Sequence, residues 1–498
     1  MAARLARTGD TGPIGVQPDA VRVGKDVIEL VTSGMYVFPI TIYREYIQNA
    51  VDAIDMARLQ GLIESAEQGK VSIDIEQANR TVVIRDNGCG LPASEAADTL
   101  LAIGGSPKRG TGARGFRGVG RLSGLAYCRE LEFRTKAAGD SHVTSVVWDC
   151  RAIRSRLADS RFGGDVREVI ADAVSVWSGK ATDAADHFFE VHLRDVVRHR
   201  QDMLLNDKMI SHYLAQVAPV PFAEDFSHRV QIEQMLKEFA PRVPIDLTVS
   251  GEAIWRPYRD ELKLPGGPHW LRIEELVFVE LADVDGEVGA VGWLGHHDYV
   301  RSIHPSVGIR GLRARIGDIQ IGEPNLLDDC FREPRFNGWS VGEFHMLDDR
   351  IVPNGRRDNF ELNHHAYNLL IQIGPITAQI AKRCRSASIS RNSSLIIRNL
   401  TEEAQRRLGE DRPLSGAEIS KLRASVERCQ RKLKGVQEPQ HTELASTLAQ
   451  LDERLQTCVT AGQESVVALD AALDLIARHV GNREHARKLI EAIRQIAA

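Results

Sequence analysis

Apolar and polar residues alternate through Val71-Ser72-Ile73-Asp74-Ile75, the period of a strand with one buried face. Thr81-Val82-Val83-Ile84 resumes the pattern after Ala78-Asn79-Arg80, and the two segments predict a hairpin of adjacent strands. Phe189-Glu190-Val191-His192-Leu193 is a further half-buried strand. Upstream the period changes. Thr41 to Arg58 reads as a helix, with Ile47, Val51 and Ile54 on one side and Glu45, Asn49 and Asp52, at i, i+4 and i+7, on nearly the opposite one.

Residues 22–200 thus interleave helices and strands in the manner of an α/β layer. Pro219, Pro221 and Pro241 then interrupt the pattern, which puts a domain boundary near residue 200. A second block with β patterning follows at Leu276-Val277-Phe278-Val279-Glu280-Leu281, Ile309 to Ile321 and Phe344-His345-Met346-Leu347. It closes near Arg385, where Ser386-Ala387-Ser388-Ile389-Ser390 and Ser393-Ser394 supply a polar break. From there to Ala498 the chain reads as helix. Leu444, Leu448, Leu451, Leu455 and Val459 form an apolar stripe, and Leu469, Leu473, Ile476 and Val480 repeat it. Such stripes serve intramolecular packing and a dimer seam equally well. The expected fold class is α+β: an α/β domain over 1–200, an α/β domain over 201–385 and an all-helical region over 386–498.

Composition narrows the partners. Of 498 residues, 43% are hydrophobic, 26% charged and 6% aromatic, as in ordinary globular proteins. Lys+Arg 63 against Asp+Glu 68 leaves a formal charge of −5, so no overall basic field points to nucleic acid as the main partner. No apolar run reaches the ~20 residues that span a bilayer, and the Met1–Gln17 leader has arginines without an apolar core. A cytoplasmic protein with no membrane partner is expected. The seven cysteines, Cys89, Cys128, Cys150, Cys330, Cys384, Cys429 and Cys458, are scattered singly, without the paired spacing of a zinc site.

Three segments carry the chemistry. The polar face of Glu45, Asn49 and Asp52 taken alone is a solvated helix surface. Asp86-Asn87-Gly88-Cys89-Gly90 follows a strand and taken alone is a common turn, although its glycines let a flat ligand approach the backbone. Gly104-Gly105-Ser106-Pro107-Lys108-Arg109-Gly110-Thr111-Gly112 leads into Gly115-Phe116-Arg117-Gly118-Val119-Gly120-Arg121-Leu122-Ser123, a glycine turn feeding a helix start, where free N–H groups favour phosphate. No P-loop occurs there, and the missing strand context and ribose-binding acid weaken a Rossmann reading.

In this order the three segments resemble the Bergerat-fold, or GHKL, ATPases. The resemblance implies an N-terminal α/β sandwich that binds ATP and Mg²⁺. It makes Glu45 the general base that activates the attacking water, Asn49 the Mg²⁺ ligand and Asp86 the acceptor for the adenine amino group. Gly88 and Gly90 would shape the adenine pocket, and Gly118, Val119 and Gly120 would supply phosphate-binding amides. Asp52 either joins the pocket through water or caps a local network; Lys108 either reaches a phosphate or is a solvated lysine.

The stretch from Val27 to Ala53 is similar to the opening of the ninety-kilodalton heat-shock chaperones, and Gly115 to Ser123 resembles their phosphate loop. Gly308 to Gly322 resembles a strand pair of their middle domain. Asp349-Arg350-Ile351-Val352-Pro353-Asn354-Gly355-Arg356-Arg357-Asp358 resembles the loop that sends an arginine to the γ-phosphate. That arginine falls on Arg357, with Arg356 the fallback and a structural salt bridge the alternative. The family's threonine in the strand near Phe189 is absent. A divergent, chaperone-like ATPase is expected, clamping protein clients and forming a homodimer through its C-terminal helices. The alternatives are a clamp on nucleic acid, which is not favoured, or one coupled to an operon-encoded effector.

Overall fold

A computed structural model describes residues 23–31, 38–64, 69–105, 118–159, 161, 164–181, 186–409, 414–434, 436, 440–479 and 483–497. The chain divides into two compact units, one formed by residues up to 297 with 302–378, the other by 298–301 with the residues from 379 onward. The α+β class is as expected.

The first unit carries an eight-stranded sheet. Its strands are β1 (Gly69–Glu76), β2 (Thr81–Asp86), β3 (Glu130–Lys136), β4 (His142–Asp149), β5 (Val174–Lys180), β6 (Phe188–Arg194), β7 (Ile245–Val249) and β8 (Glu252–Ala253), in the spatial order β5-β4-β3-β6-β2-β1-β7-β8. β1 and β2 form the expected antiparallel hairpin, with Ile73 opposite Ile84. Two helices precede β1, α1 (Asp26–Val31) and α2 (Thr41–Leu59), and alternation decides which face of the sheet is covered: Val71, Ile73, Val82, Ile84, Val191 and Leu193 are buried in one core with α2. β7 and β8 come from beyond residue 200, where the sequence suggested a boundary, and β7 pairs in parallel with β1.

The same unit continues with a two-stranded ribbon, β9 (Glu261–Lys263) and β10 (Trp270–Arg272), and a five-stranded sheet. The larger sheet has β11 (Glu275–Ala282), β12 (Val288–His296), β13 (Gly311–Ile316), β14 (Ile319–Ile321) and β15 (Val341–Met346), in the order β11-β12-β15-β13-β14. The strand pair expected between Gly308 and Gly322 is the antiparallel β13–β14 hairpin.

A buried charge network crosses this second sheet. Arg256 pairs with Glu343 at 2.6 Å and with Asp318 at 2.6 Å, and Arg315 pairs with Glu343 at 2.8 Å. Arg313 and Arg315 also donate to the Gln216 side chain and carbonyl. Gln216 lies on the helix Asp207–Val217, whose Ile210, Leu214 and Val217 share the core of α2. The network thereby anchors a helix that supports the candidate site.

The second unit is helical. Gly416–Leu433 starts at a capping box made by Ser415 and Glu418, and Gln440–His479 carries the stripe Leu444, Leu448, Leu451 and Leu455. All four leucines are buried against Ile397, Ala404, Val426 and Cys429, so this stripe serves packing within the unit. Val480 lies outside the described residues. The expected polar break is a correction: residues 386–394 lie inside one helix, His364–Leu408. Ser390, Ser393 and Ser394 are buried; their small side chains are accommodated inside the fold, so the serine content marks close packing rather than a loop.

Candidate nucleotide site

The helix α2 supplies three of the candidate residues. Glu45 is 6% exposed, Asp52 is 8% exposed and Asn49 is half-buried. A solvated surface is therefore not what this face is. From Ile42 to Ile54 the helix is largely buried, because its apolar side meets the sheet while its polar side meets two loops; Met56 and Leu59 at its far end are exposed.

The first loop is the turn Gly120–Ala126. A Cβ on Gly120 would come within 2.5 Å of Glu45 Oε2, so the backbone there lies directly on the carboxylate and no side chain fits between them. Tyr46 fastens this turn to α2: its hydroxyl accepts from the Gly124 N–H at 2.9 Å and donates to the Arg121 carbonyl at 3.3 Å. Burial pushes the phenol well above its ordinary value, which keeps it protonated as a donor. Gly118 is left-handed at φ 70° and Val119 is buried. Lys108 lies outside the described residues.

The second contact is the end of β2. Asp86 is buried, and its Oδ1 accepts from the Gly88 N–H at 2.9 Å. Gly88 abuts Ala53 of α2, and the Cys89 N–H donates to the Ala53 carbonyl at 3.1 Å. Gly90, at φ 65°, faces the Lys136 carbonyl so closely that a Cβ would collide with it. Glu45 and the Asp86 turn therefore meet α2 at positions eight residues apart, a separation of about 12 Å along the axis. Phe189 pairs with Asp86 across the sheet and Thr135 pairs with Phe189. The Thr135 hydroxyl accepts from the Leu91 N–H at 2.7 Å, so it holds the same turn from the next strand.

The loop 349–358 also reaches the helix. Arg357 Nε lies 3.4 Å from Glu45 Oε1, and the Arg357 side chain is buried while Arg356 is exposed. Arg357 itself is left-handed at φ 55°, an unfavourable backbone for an arginine. It is held there by its carbonyl, which accepts from the Gly322 N–H at 2.9 Å and from Arg44 at 3.4 Å. Arg44 also donates to the Arg356 carbonyl at 3.1 Å and stands 3.8 Å from Glu45 Oε1. Sequence reasoning passed over Arg44 and Tyr46. Their only signal was adjacency to Glu45 on a helix whose polar side was assigned to ligand alone.

The donor set suits a hard cation held mostly by other ligands. No group of three or more His, Cys, Asp or Glu able to hold a metal occurs among the described residues, and Asn49 offers one amide oxygen between two buried carboxylates. Magnesium binds in this way, through few protein oxygens plus phosphate and water. Among the described residues, no helix is long and apolar enough to cross a membrane.

Residues 40–160 match the family described as histidine kinase-, DNA gyrase B- and HSP90-like ATPase. The chain is 31% identical over 195 residues to the chaperone protein HtpG of Polaromonas naphthalenivorans (strain CJ2), covering 35% of this chain and 30% of that protein. HtpG of Coxiella burnetii (strain RSA 493 / Nine Mile phase I) is 31% identical over 147 residues, 25% of this chain and 22% of that protein. HtpG of Acinetobacter baylyi (strain ATCC 33305 / BD413 / ADP1) is 30% identical over 139 residues, 24% and 22% of the two chains. The aligned stretches span less than a third of these relatives. The fold, the buried polar side of α2 and these matches, the family match spanning residues 40–160, support a divergent, HSP90-like member of the GHKL ATPase superfamily.

Proposed function

We propose that the chain is a Mg²⁺-dependent ATPase whose nucleotide cycle drives a chaperone-like clamp on protein clients. The reading is carried by one observation: Glu45 has the Gly120 backbone at one carboxylate oxygen and Arg357 at the other. That is the arrangement expected of a base and a charge stabiliser at a phosphoryl-transfer site.

In this reading Asp86 accepts from the adenine amino group, Gly88 and Gly90 leave room for the base, and the amides of Gly118, Val119 and Gly120 bind phosphate. Lys108 adds a phosphate contact and Asp52 orders the water network of the pocket. Asn49 holds Mg²⁺, which when bound neutralises phosphate charge. Glu45 orients water and takes its proton, which is a matter of positioning a carboxylate rather than of covalent chemistry. Arg357 keeps its charge at every relevant pH and presents a planar fork, so it can offset charge that develops on the terminal phosphate. Because it starts on Glu45, turnover requires the loop to exchange one partner for another, and slow turnover follows.

The division of labour is nucleotide binding by residues 1–200, delivery of the arginine by 201–385 and homodimer formation by 386–498, in a cytoplasmic protein. Phosphate release by the full chain tests the reading. Glu45→Ala is expected to keep ATP binding and to lose hydrolysis by roughly 10²-fold or more; unchanged turnover would remove Glu45 from the role of base. ATP-dependent suppression of client aggregation is expected without DNA, whereas DNA-stimulated hydrolysis with a steep salt dependence would favour a nucleic-acid clamp.

A further inference from the structure

Arg121 directly follows Gly120, the residue whose backbone lies on Glu45. One terminal guanidinium nitrogen donates to the Ala102 carbonyl, just beyond the helix Ala93–Leu101. Its Nε is buried without a hydrogen-bond partner. Among the described residues no carboxylate pairs with it, and burial alone pushes the group down, to about 10. The neighbouring sequence cannot supply a counter-ion either: residues 103–120 hold Lys108, Arg109, Arg114 and Arg117 and no acidic residue.

Arg121 is half-buried, and the fully buried arginines are provided for. Arg256 and Arg315 have Glu343, and Arg44 and Arg357 have Glu45. Arg313, without a carboxylate, donates to Gln320, Gln216 and the Gly308 carbonyl. Among the described residues, Arg121 has one side-chain hydrogen bond and no ion-paired carboxylate. A half-buried cation without an anion gives up part of its hydration uncompensated. A guanidinium beside a glycine turn is also well shaped to receive phosphate oxygens.

We propose that Arg121 binds the polyphosphate of the nucleotide at the Glu45–Asp86 site, as a side-chain contact additional to the backbone amides. The proposal rests on the ATP-binding reading above and names a further ligand within it. The competing role is structural, a cation anchoring the end of the helix Ala93–Leu101. The two roles predict opposite effects on stability. Replacing a helix anchor lowers the melting temperature, whereas replacing an uncompensated cation leaves it unchanged or raises it.

The test uses the full chain with Arg121→Met and Arg121→Lys. Melting is followed without nucleotide, and ATP, ADP, AMP and adenosine are titrated by calorimetry. Arg121→Met is expected to melt at or above the wild-type temperature and to bind ATP roughly 10- to 100-fold more weakly, the range for a lost charged hydrogen bond. Its adenosine affinity is unchanged, and Arg121→Lys retains part of the ATP affinity. A lower melting temperature for Arg121→Met, an unaltered ATP affinity, or an adenosine affinity that falls in step with ATP would each overturn the proposal. If wild-type protein binds no adenine nucleotide, the ATP-binding reading fails and this proposal with it. If wild-type binds ATP and Arg121→Met matches it, this proposal alone fails.

Discussion

Two residues test the geometry around Glu45 most sharply. Gly120→Ala places a methyl group 2.5 Å from Glu45 Oε2, so the carboxylate must move. A displacement of that order is expected to lower turnover by roughly 10²-fold, with ATP affinity much less affected, as steady-state kinetics beside calorimetry will tell. Arg357→Ala removes the nearer of the two cations at Glu45 Oε1, the other being Arg44. Loss of a charge stabiliser is expected to cut kcat by roughly 10²-fold while ATP binding persists, and Arg356→Ala, at an exposed position, is expected to leave both near wild type. The reverse pattern for the pair would move the role to Arg356. At this scale the sequence was legible where chemistry dictates residue type. A carboxylate and an amide one turn apart, and an aspartate ahead of two glycines, are patterns a reader can find. Arg44 was not legible, because its contacts run to carbonyls of residues 356 and 357, more than three hundred positions away, and no local period encodes them.

Among the elements, alternation located β1, β2 and β6 and their covered face, and the helical period located α2. Buried charge obeys no such period. Arg313, Arg315 and Glu343 lie on strands of the second sheet and are fully buried, where a hydrophobic pattern would leave them outside. Each is inside because another charge or amide meets it. Burial on its own would raise the Glu343 carboxyl, but Arg315, Arg256 and His345 outweigh it and hold the group well below its ordinary 4.5. A folded value below the unfolded one means that this carboxylate adds stability above pH 4.5, and that the addition is lost as pH falls through the folded value. Glu343→Gln leaves Arg315 without its anion and Arg256 with Asp318 alone, and is expected to cost about 3–5 kcal/mol. Denaturant unfolding reads that loss, and the variant's deficit shrinks in acid. The serine-rich stretch misled for a related reason: Ser and Ala are as acceptable in a close helix contact as in a loop, and only the partner distinguishes them. Leu448→Ala, in the core of the helical unit, is expected to destabilise that unit by about 2–5 kcal/mol. Because this leucine is buried within its own unit, the change registers as a lower melting temperature rather than as dissociation of an oligomer.

For the whole molecule, the family match occupies residues 40–160, while the arginine on Glu45 comes from residue 357. The site proposed here is thus completed by chain far outside the matched segment, which links residues 201–385 to nucleotide turnover. The clamp and the homodimer belong to the same proposal, and light scattering of the full chain with and without a non-hydrolysable ATP analogue is expected to report a dimer in both conditions. The central claim is narrower: Glu45 and Asp86 serve one adenine-nucleotide pocket, one at its reacting end and the other at its base end. Calorimetric titration of Mg-ATP into wild type, Asp86→Asn and Glu45→Ala tests it most directly. The account predicts binding by wild type and Glu45→Ala and none by Asp86→Asn. ATP binding by Asp86→Asn with wild-type affinity would contradict it.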